Sequence, residues 1–379
     1  LRKQYEESVD KKAKLATQIE ETQVKLGRAA KLTVGLADEQ VRWGEQVNVM
    51  DSNVIYIPGD SFLCAAILIY FGPFPAALRL PIQEQIMEKI KEIGIDLSPK
   101  FDFMQSMVDE SIVRDWNTIG LPNDSTSIEN ALIITQAPKS ALIIDPQNQA
   151  TQWIKKMEEV RQLVILKPNS PNFYRSIENA VRLGIPVLLE DVQETVDPAL
   201  DLLLMRKTYK QDGKDMVRIG DKAVEIDEKF RLYVTTKLTN PHFMPDMFVK
   251  VSIVNFIVTQ IALEAQQLSL VVSLERPELE TQKHELVMSI AADKKVLVEI
   301  EDKLLELLRN AGEHILDDEL LITTIEEAKK KSLEVKERVR VSEETEIEIN
   351  KLRMEYKPVA IRSSIMFFVT GDMASIDPM

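Results

Sequence analysis

Cysteine is nearly absent: Cys64 is the single one in 379 residues. A lone thiol excludes an internal disulfide and fits a reducing compartment. Histidine is scarce, with His242, His284 and His314 far apart in the chain. No HExxH or paired Cys/His spacing occurs, which argues against a zinc site. Positive charge is in deficit, with 47 Lys and Arg against 61 Asp and Glu and a net charge of −14. Phosphate contacts need Lys/Arg patches, so nucleic acid is a poor partner for this surface. A nucleotide is not excluded, because it needs only a local positive site. Long apolar runs are missing too. The longest, near Phe62–Phe71, falls short of the ~20 residues of a membrane helix, and no secretory signal is visible. Neither nucleic acid nor membrane is therefore expected as a partner. The chain opens on Leu1 inside a charged helical pattern, which predicts a piece of a longer polypeptide.

What is present is globular in character, with 45% hydrophobic and 28% charged residues and length for two or three domains. Residues 1–48 contain no proline and carry Leu15, Ile19, Leu26, Ala29 and Leu36 between dense Lys and Glu. That spacing predicts one long helix of about 70 Å. A narrow apolar stripe cannot be buried against itself, so it needs a partner helix. Residues 54–80 form an apolar block broken by Pro58-Gly59 and Gly72-Pro73. It reads as buried, with Gly59-Asp60-Ser61 capping a helix. A helix is expected over Gln83–Ile93. The stretch from Trp116 to Asp145 reads as a turn at Leu121-Pro122-Asn123-Asp124 followed by short apolar strands.

Beyond it, strands alternate with helices: ALII, then WIKKMEEV, LVILK, FYRSIENAVRLG and PVLLED. Residues 205–226 read as a hairpin turning at Asp212-Gly213, and RLYVTT supplies another strand. This alternation predicts an α/β fold with a parallel sheet, its site at the carboxyl ends of the strands. From about Val251 the pattern becomes helical. Residues 278–311 and 319–356 predict a long antiparallel helical hairpin, turning at residues 312–318 with Asp317 or Asp318 as a cap. A second apolar block with Gly371-Asp372 follows. The plan of long helix then apolar block thus appears twice, as in a chain of tandem modules.

Three places in the α/β part invite a test for nucleotide chemistry. The first is the eight-residue loop Asp145, Pro146, Gln147, Asn148, Gln149, Ala150, Thr151 and Gln152, ahead of a helix read as starting at Trp153. A phosphate loop GxxxxGK[ST] needs Gly for backbone approach, Lys for the phosphates and Ser/Thr for Mg²⁺. Laid on that pattern, Asp145 and Ala150 replace the glycines, Thr151 replaces the Lys and Gln152 the Ser/Thr. Pro146 and Asn148 are expected to hold the turn and Trp153 to anchor the helix. The second place is the acidic strand end Glu190-Asp191, where metal-holding and water-activating carboxylates would stand. The third is Thr236 and Asn240, where a γ-phosphate sensor would stand. The topology of a nucleotide domain is kept, and the catalytic positions are lost.

With these residues in place, the chain resembles a dynein heavy chain over nearly its whole length. The motifs are AAKLTVGLADEQVRW (29–43), GDSFLCAAILIYFGPF (59–74), WNTIGLPNDSTSIENALI (116–133), IIDPQNQATQWIK (143–155), PVLLEDVQETVDPALDLLL (186–204), RLYVTTKLTNPHFMPDM (231–247), NFIVTQIALEAQQLSLVV (255–272) and ILDDELL (315–321). The resemblance implies an AAA+ P-loop-NTPase-like sheet with a helical small domain and a coiled-coil hairpin. Residues 1–48 would be the returning stalk helix, and 49–80 the end of the fourth AAA+ module. Residues 81–250 would be the large domain of the fifth module. Its small domain would span 251–379, with the buttress hairpin at about 278–356. The fifth module lacks a working phosphate loop in this family, so no catalytic, cofactor or metal residue is expected here. ATP and Mg would belong to other modules of the parent, an ATP-dependent, minus-end-directed microtubule motor. The implied partners are the other AAA+ modules, the first stalk helix and, through the stalk tip, a microtubule. Lys250 stands where a module can lend an arginine to its neighbour. The motif style points to an axonemal inner-arm type, placing the protein in the cytoskeleton of a cilium or flagellum. The competing functional class is an active nucleotide module with a divergent loop, in which Lys155 or Lys156 meets phosphate and Asp191 a metal. A coiled-coil scaffold with a globular insert is the third reading.

Overall fold

The computed structural model describes residues 2–211, 213–310 and 319–376. Within them the chain divides into two compact units, 1–52 with 272–356, and 53–271 with 357–379.

The second unit is built on a five-stranded sheet of β1 (Ala141–Ile144), β2 (Val164–Leu166), β3 (Val187–Leu189), β7 (Leu232–Thr236) and β8 (Ser252–Asn255). All neighbours are parallel, in the order β2-β3-β7-β1-β8. Successive strand residues point to opposite faces, and both faces are covered here. Ala141, Ile143, Leu188, Tyr233 and Val254 join one apolar cluster. Leu142, Ile144, Val187, Leu189, Val234 and Ile253 join the other. Such two-sided burial explains the uninterrupted apolar strands. β8 was not expected, since helical structure was read from Val251 onward. SIVN is too short to show a period, and only its pairing with β1 makes it a strand.

The helices on the first face are α2 (Ile57–Tyr70), α3 (Ala76–Glu92), α4 (Phe103–Met107), α5 (Glu110–Thr118), α6 (Ser125–Gln136) and α7 (Gln149–Met157). The strands expected after Asp124 are instead the helix α6. The Asp124 carboxylate accepts from Ser127 N at 2.9 Å and Ser127 Oγ at 2.8 Å, an N-cap. Ile128 and Ala131–Ile134 are buried nearly all round, which erases the helical period. The cap expected at Gly59-Asp60-Ser61 is also displaced. α2 opens with Pro58 in its first turn, a position that tolerates the missing N–H. Asp60 reaches out to accept from Ser98 N at 3.0 Å. Gly59 is required because a Cβ there would stand 2.2 Å from the Asp96 carbonyl oxygen. The block 54–80 is buried on one face only: Leu63, Cys64, Ile67 and Phe71 are inside, whereas Phe62, Tyr70 and Leu80 are exposed.

Arg79 of α3 is buried and ties this face to the sheet edge. It donates to Glu129 at 2.8 Å, to the Phe74 carbonyl at 3.1 Å and to Asn130 Oδ1. Asn130 in turn donates to the Asn255 carbonyl at 2.8 Å.

On the other face, α8 (Phe173–Leu183) ends at Gly184 in the left-handed region, φ +68, as expected of a C′ glycine. It packs with α9 (Asp201–Leu204) and a separate antiparallel sheet. That sheet has three strands, β4 (Tyr209–Gln211), β5 (Lys214–Ile219) and β6 (Lys222–Glu225), not the expected two. The extra turn is at Gly220, φ +56, whose N–H donates to the Ala199 carbonyl. The first turn includes Asp212, outside the described residues. α10 (Pro245–Lys250) precedes β8. α11 (Gln260–Glu275) and α14 (Lys357–Ile376) complete this unit. They meet where Ser363 donates to Gln267 at 3.2 Å and Ser364 to the Gln260 carbonyl at 3.3 Å.

The first unit is helical. α1 runs over Arg2–Val54, and its Leu15, Ile19 and Leu26 are exposed. α12 (Pro277–Asn310) and α13 (Glu319–Met354) pair antiparallel. Near one end Arg353 meets Glu280 at 2.9 Å, and further along Arg338 meets Asp293 at 2.6 Å. Ile290, Val335 and Val339 are buried between them, with Leu286 and Leu297 alongside. The expected turn at 312–318 lies outside the described residues.

Candidate nucleotide cleft

β1 lies where the strand order reverses, and the loop after it opens at the carboxyl end of the sheet, the usual ligand position in such folds. The turn is shorter than expected. α7 begins at Gln149, with Asn148 left-handed at φ +58. Trp153 is therefore inside the helix rather than at its start. It is fully buried, its ring edge-on to Trp116 at 5.7 Å.

Asp145 explains the early start. It is fully buried, and its carboxylate accepts from Gln149 N at 2.9 Å, Thr151 N at 2.8 Å and Thr151 Oγ1 at 2.7 Å. The donors at the N-terminus of α7, which would otherwise face an anion, are taken by the protein's own carboxylate. Burial pushes the Asp145 carboxyl above its ordinary 3.8, while the hydrogen bonds from Thr151, Gln149 and Ala150 act the other way. The rest of the loop is engaged as well. Asp145 N donates to the Thr236 carbonyl, Asn148 N to the Asp145 carbonyl and Gln152 N to the Asn148 carbonyl. Gln147 Oε1 accepts from Val258 N at 3.3 Å, and Gln149 pairs with Gln266 of α11 at 3.0 Å. Pro146 is half-buried in the turn and Ala150 is buried, while Gln152 is exposed.

The acidic strand end is occupied by ammonium groups. Lys155 from α7 sits 2.6 Å from Glu190. Lys167, just past β2, is 2.7 Å from Asp191, and Lys237, just past β7, is 2.9 Å from it. Hydrogen bonds from Lys167 and Lys237 hold the Asp191 carboxyl below the usual carboxylate range. Lys156 is exposed, its ammonium beside Gly120. Thr236 is buried, and its hydroxyl accepts from Leu238 N at 3.3 Å. Asn240 is exposed further along the same loop. Lys250 is held between Asp201 and Asp246, both at 2.9 Å. The loop, the acidic pair and Thr236 are thus brought to one end of the sheet. Sequence reading missed Lys167 and Lys237, although each stands immediately after its strand in VILK and VTTK. It also missed the glutamine contacts, which join residues distant in sequence.

These groups do not fit a magnesium nucleotide. Asp145 and a phosphate oxygen at 4 Å would repel by about 4 kcal/mol per charge pair at an effective dielectric of ~20. The hydroxyl of Thr151 is turned to Asp145 and the carboxylates of 190–191 to lysines, so neither is open to a metal. A small space beside Gln149, lined also by Asp124, Ser127, Asn130, residues 256–259 and Ala262, measures about 10 Å³, the size of one water.

Counted in chain order, the parallel strands stand 5-1-4-3-2, with a loop and helix after the first and a helical group after the fifth. This is the AAA+ plan of the P-loop NTPase class. Residues 114–335 match the family model described as the ATP-binding dynein motor region, and residues 1–91 match that of the microtubule-binding stalk of the dynein motor. The chain belongs to the dynein motor family. It is 41% identical to dynein axonemal heavy chain 6 of Homo sapiens over its full length, covering 9% of that protein. It is 45% identical to dynein axonemal heavy chain 2 of Mus musculus, over 99% of this chain and 8% of the relative. It is 40% identical to the dynein-1-beta heavy chain of the flagellar inner arm I1 complex of Chlamydomonas reinhardtii, over 94% of this chain and 8% of the relative. The chain thus spans about a tenth of the length of these curated relatives.

Proposed function

We propose that this chain is a non-catalytic, mechanical module of a dynein heavy chain, the fifth AAA+ module with the stalk helix that precedes it. The observation that carries this reading is Asp145, a carboxylate seated on the helix N-terminus that a phosphate would need. The lysine-paired acids at 190–191 agree with it. Lys155 is committed to Glu190, which weighs against the divergent-loop alternative.

In this account α1 is the returning stalk helix, and α12 with α13 forms the buttress that biases the stalk's register. Residues 49–80 end the fourth module, 81–250 are the large domain of the fifth, and 251–379 its small domain. ATP and Mg²⁺ act in other modules of the parent. The parent moves toward microtubule minus ends and grips the microtubule through its stalk tip. The names of the relatives support an axonemal site, in a cilium or flagellum.

Calorimetry of the chain with Mg-ADP and with Mg-ATP tests the first half of this reading. No binding heat is expected. Micromolar binding to either nucleotide would overturn it.

A further inference from the structure

Helix α11, which packs with α14, follows the sheet through a short segment without regular structure, residues 256–259. Two side chains after β1 reach this part of the chain, Gln147 from the loop and Gln149 from the first turn of α7. Gln149 Nε2 donates to Gln266 Oε1 at 3.0 Å, and Gln266 Nε2 returns a bond to Gln149 Oε1 at 3.5 Å. One residue pair thus closes a reciprocal amide ring between α7 and α11. Gln147 adds the second link by accepting from Val258 N inside the segment itself. Both glutamines of the ring are half-buried, so water competes with these bonds only in part.

We infer that Gln147, Gln149 and Gln266 form a latch that fixes α11 and α14 to the α/β body and keeps the segment 256–259 from hinging. This rests on the proposal that no nucleotide binds here, for Gln147 and Gln149 belong to the stretch that a phosphate loop would form. A side-chain latch is permanent, whereas a ligand comes and goes. It holds the sheet and the part of α11 that belongs to the same unit, residues 260–271, in one geometry.

Amide hydrogen exchange on the chain, followed residue by residue, tests the latch. Gln149→Ala and Gln266→Ala should each speed exchange at Val258, Ala262 and Leu263 by about tenfold, the loss of roughly one net hydrogen bond. The double variant should add little, because both changes break one ring. Gln149→Glu with Gln266→Lys should restore protection by replacing the ring with an ion pair. Amides of β1 should not change. Unchanged exchange at Val258–Leu263 in the single variants would overturn the latch, as would a rise shared equally by β1. Adding Mg-ADP to the unaltered chain separates the two ideas. A nucleotide-dependent change there contradicts the non-catalytic reading, while the alanine variants alone decide the latch.

Discussion

Asp145 replaces the first glycine of a phosphate loop with the chemistry of a helix cap. Its carboxylate meets two backbone N–H groups and a hydroxyl in a fully buried place. Asp145→Ala leaves these donors unpaired and should lower stability by about 2–4 kcal/mol, read by chemical denaturation. At the strand end the direction of charge coupling is testable by pH. Asp191 titrates below its ordinary 3.8 because Lys167 and Lys237 hold the anion. The folded chain therefore gives up this proton more readily than the unfolded one. The stabilisation is present above the ordinary value and is lost as pH falls through the lowered one. Removing both lysines should raise the Asp191 titration, seen by carboxyl-carbon NMR, and flatten that part of the acid limb of the stability curve.

Among the elements, the join between α2, α3 and β8 adds a backbone contact to the Arg79–Asn130 side-chain link. Gly72 O accepts from Asn255 N at 2.8 Å, and a Cβ on Gly72 would stand 2.1 Å from the Ile253 carbonyl oxygen. Gly72→Ala must shift one of two packed backbones. It should cost about 1–3 kcal/mol, measured as a lower thermal midpoint. The elements also show what could be read in advance. β1, β2, β3 and β7, the helix ending at Gly184 and the long helices were legible, because each carries its own period, cap or length. α6 was not, since burial on every side leaves an apolar run without a period. β8 and the third strand of the small sheet depend on partners far along the chain. At the site, the sequence displayed the missing Gly-Lys pair and the reversed acids Glu190-Asp191, from which the proposed reading starts. What surrounds those positions was hidden. The three-lysine arrangement at 190–191 and the Gln149–Gln266 ring exist only once the sheet brings distant segments together.

For the whole molecule, the account separates chemistry from motion. The α/β body keeps the AAA+ sheet order, with Asp145 on the N-terminus of α7 and lysines on Glu190 and Asp191. In the proposed reading its role is mechanical rather than chemical. The paired helices α12 and α13 are the part that would carry it, and Val335 is buried at their interface, 2% exposed. Val335→Asp would place an unpaired charge there and separate the pair. The most direct test places this change in a complete heavy chain. ATP hydrolysis without microtubules should persist at near its normal rate, while gliding over microtubules should fall at least tenfold. Gliding at unaltered speed, with the helix pair shown to be disrupted, would contradict the account.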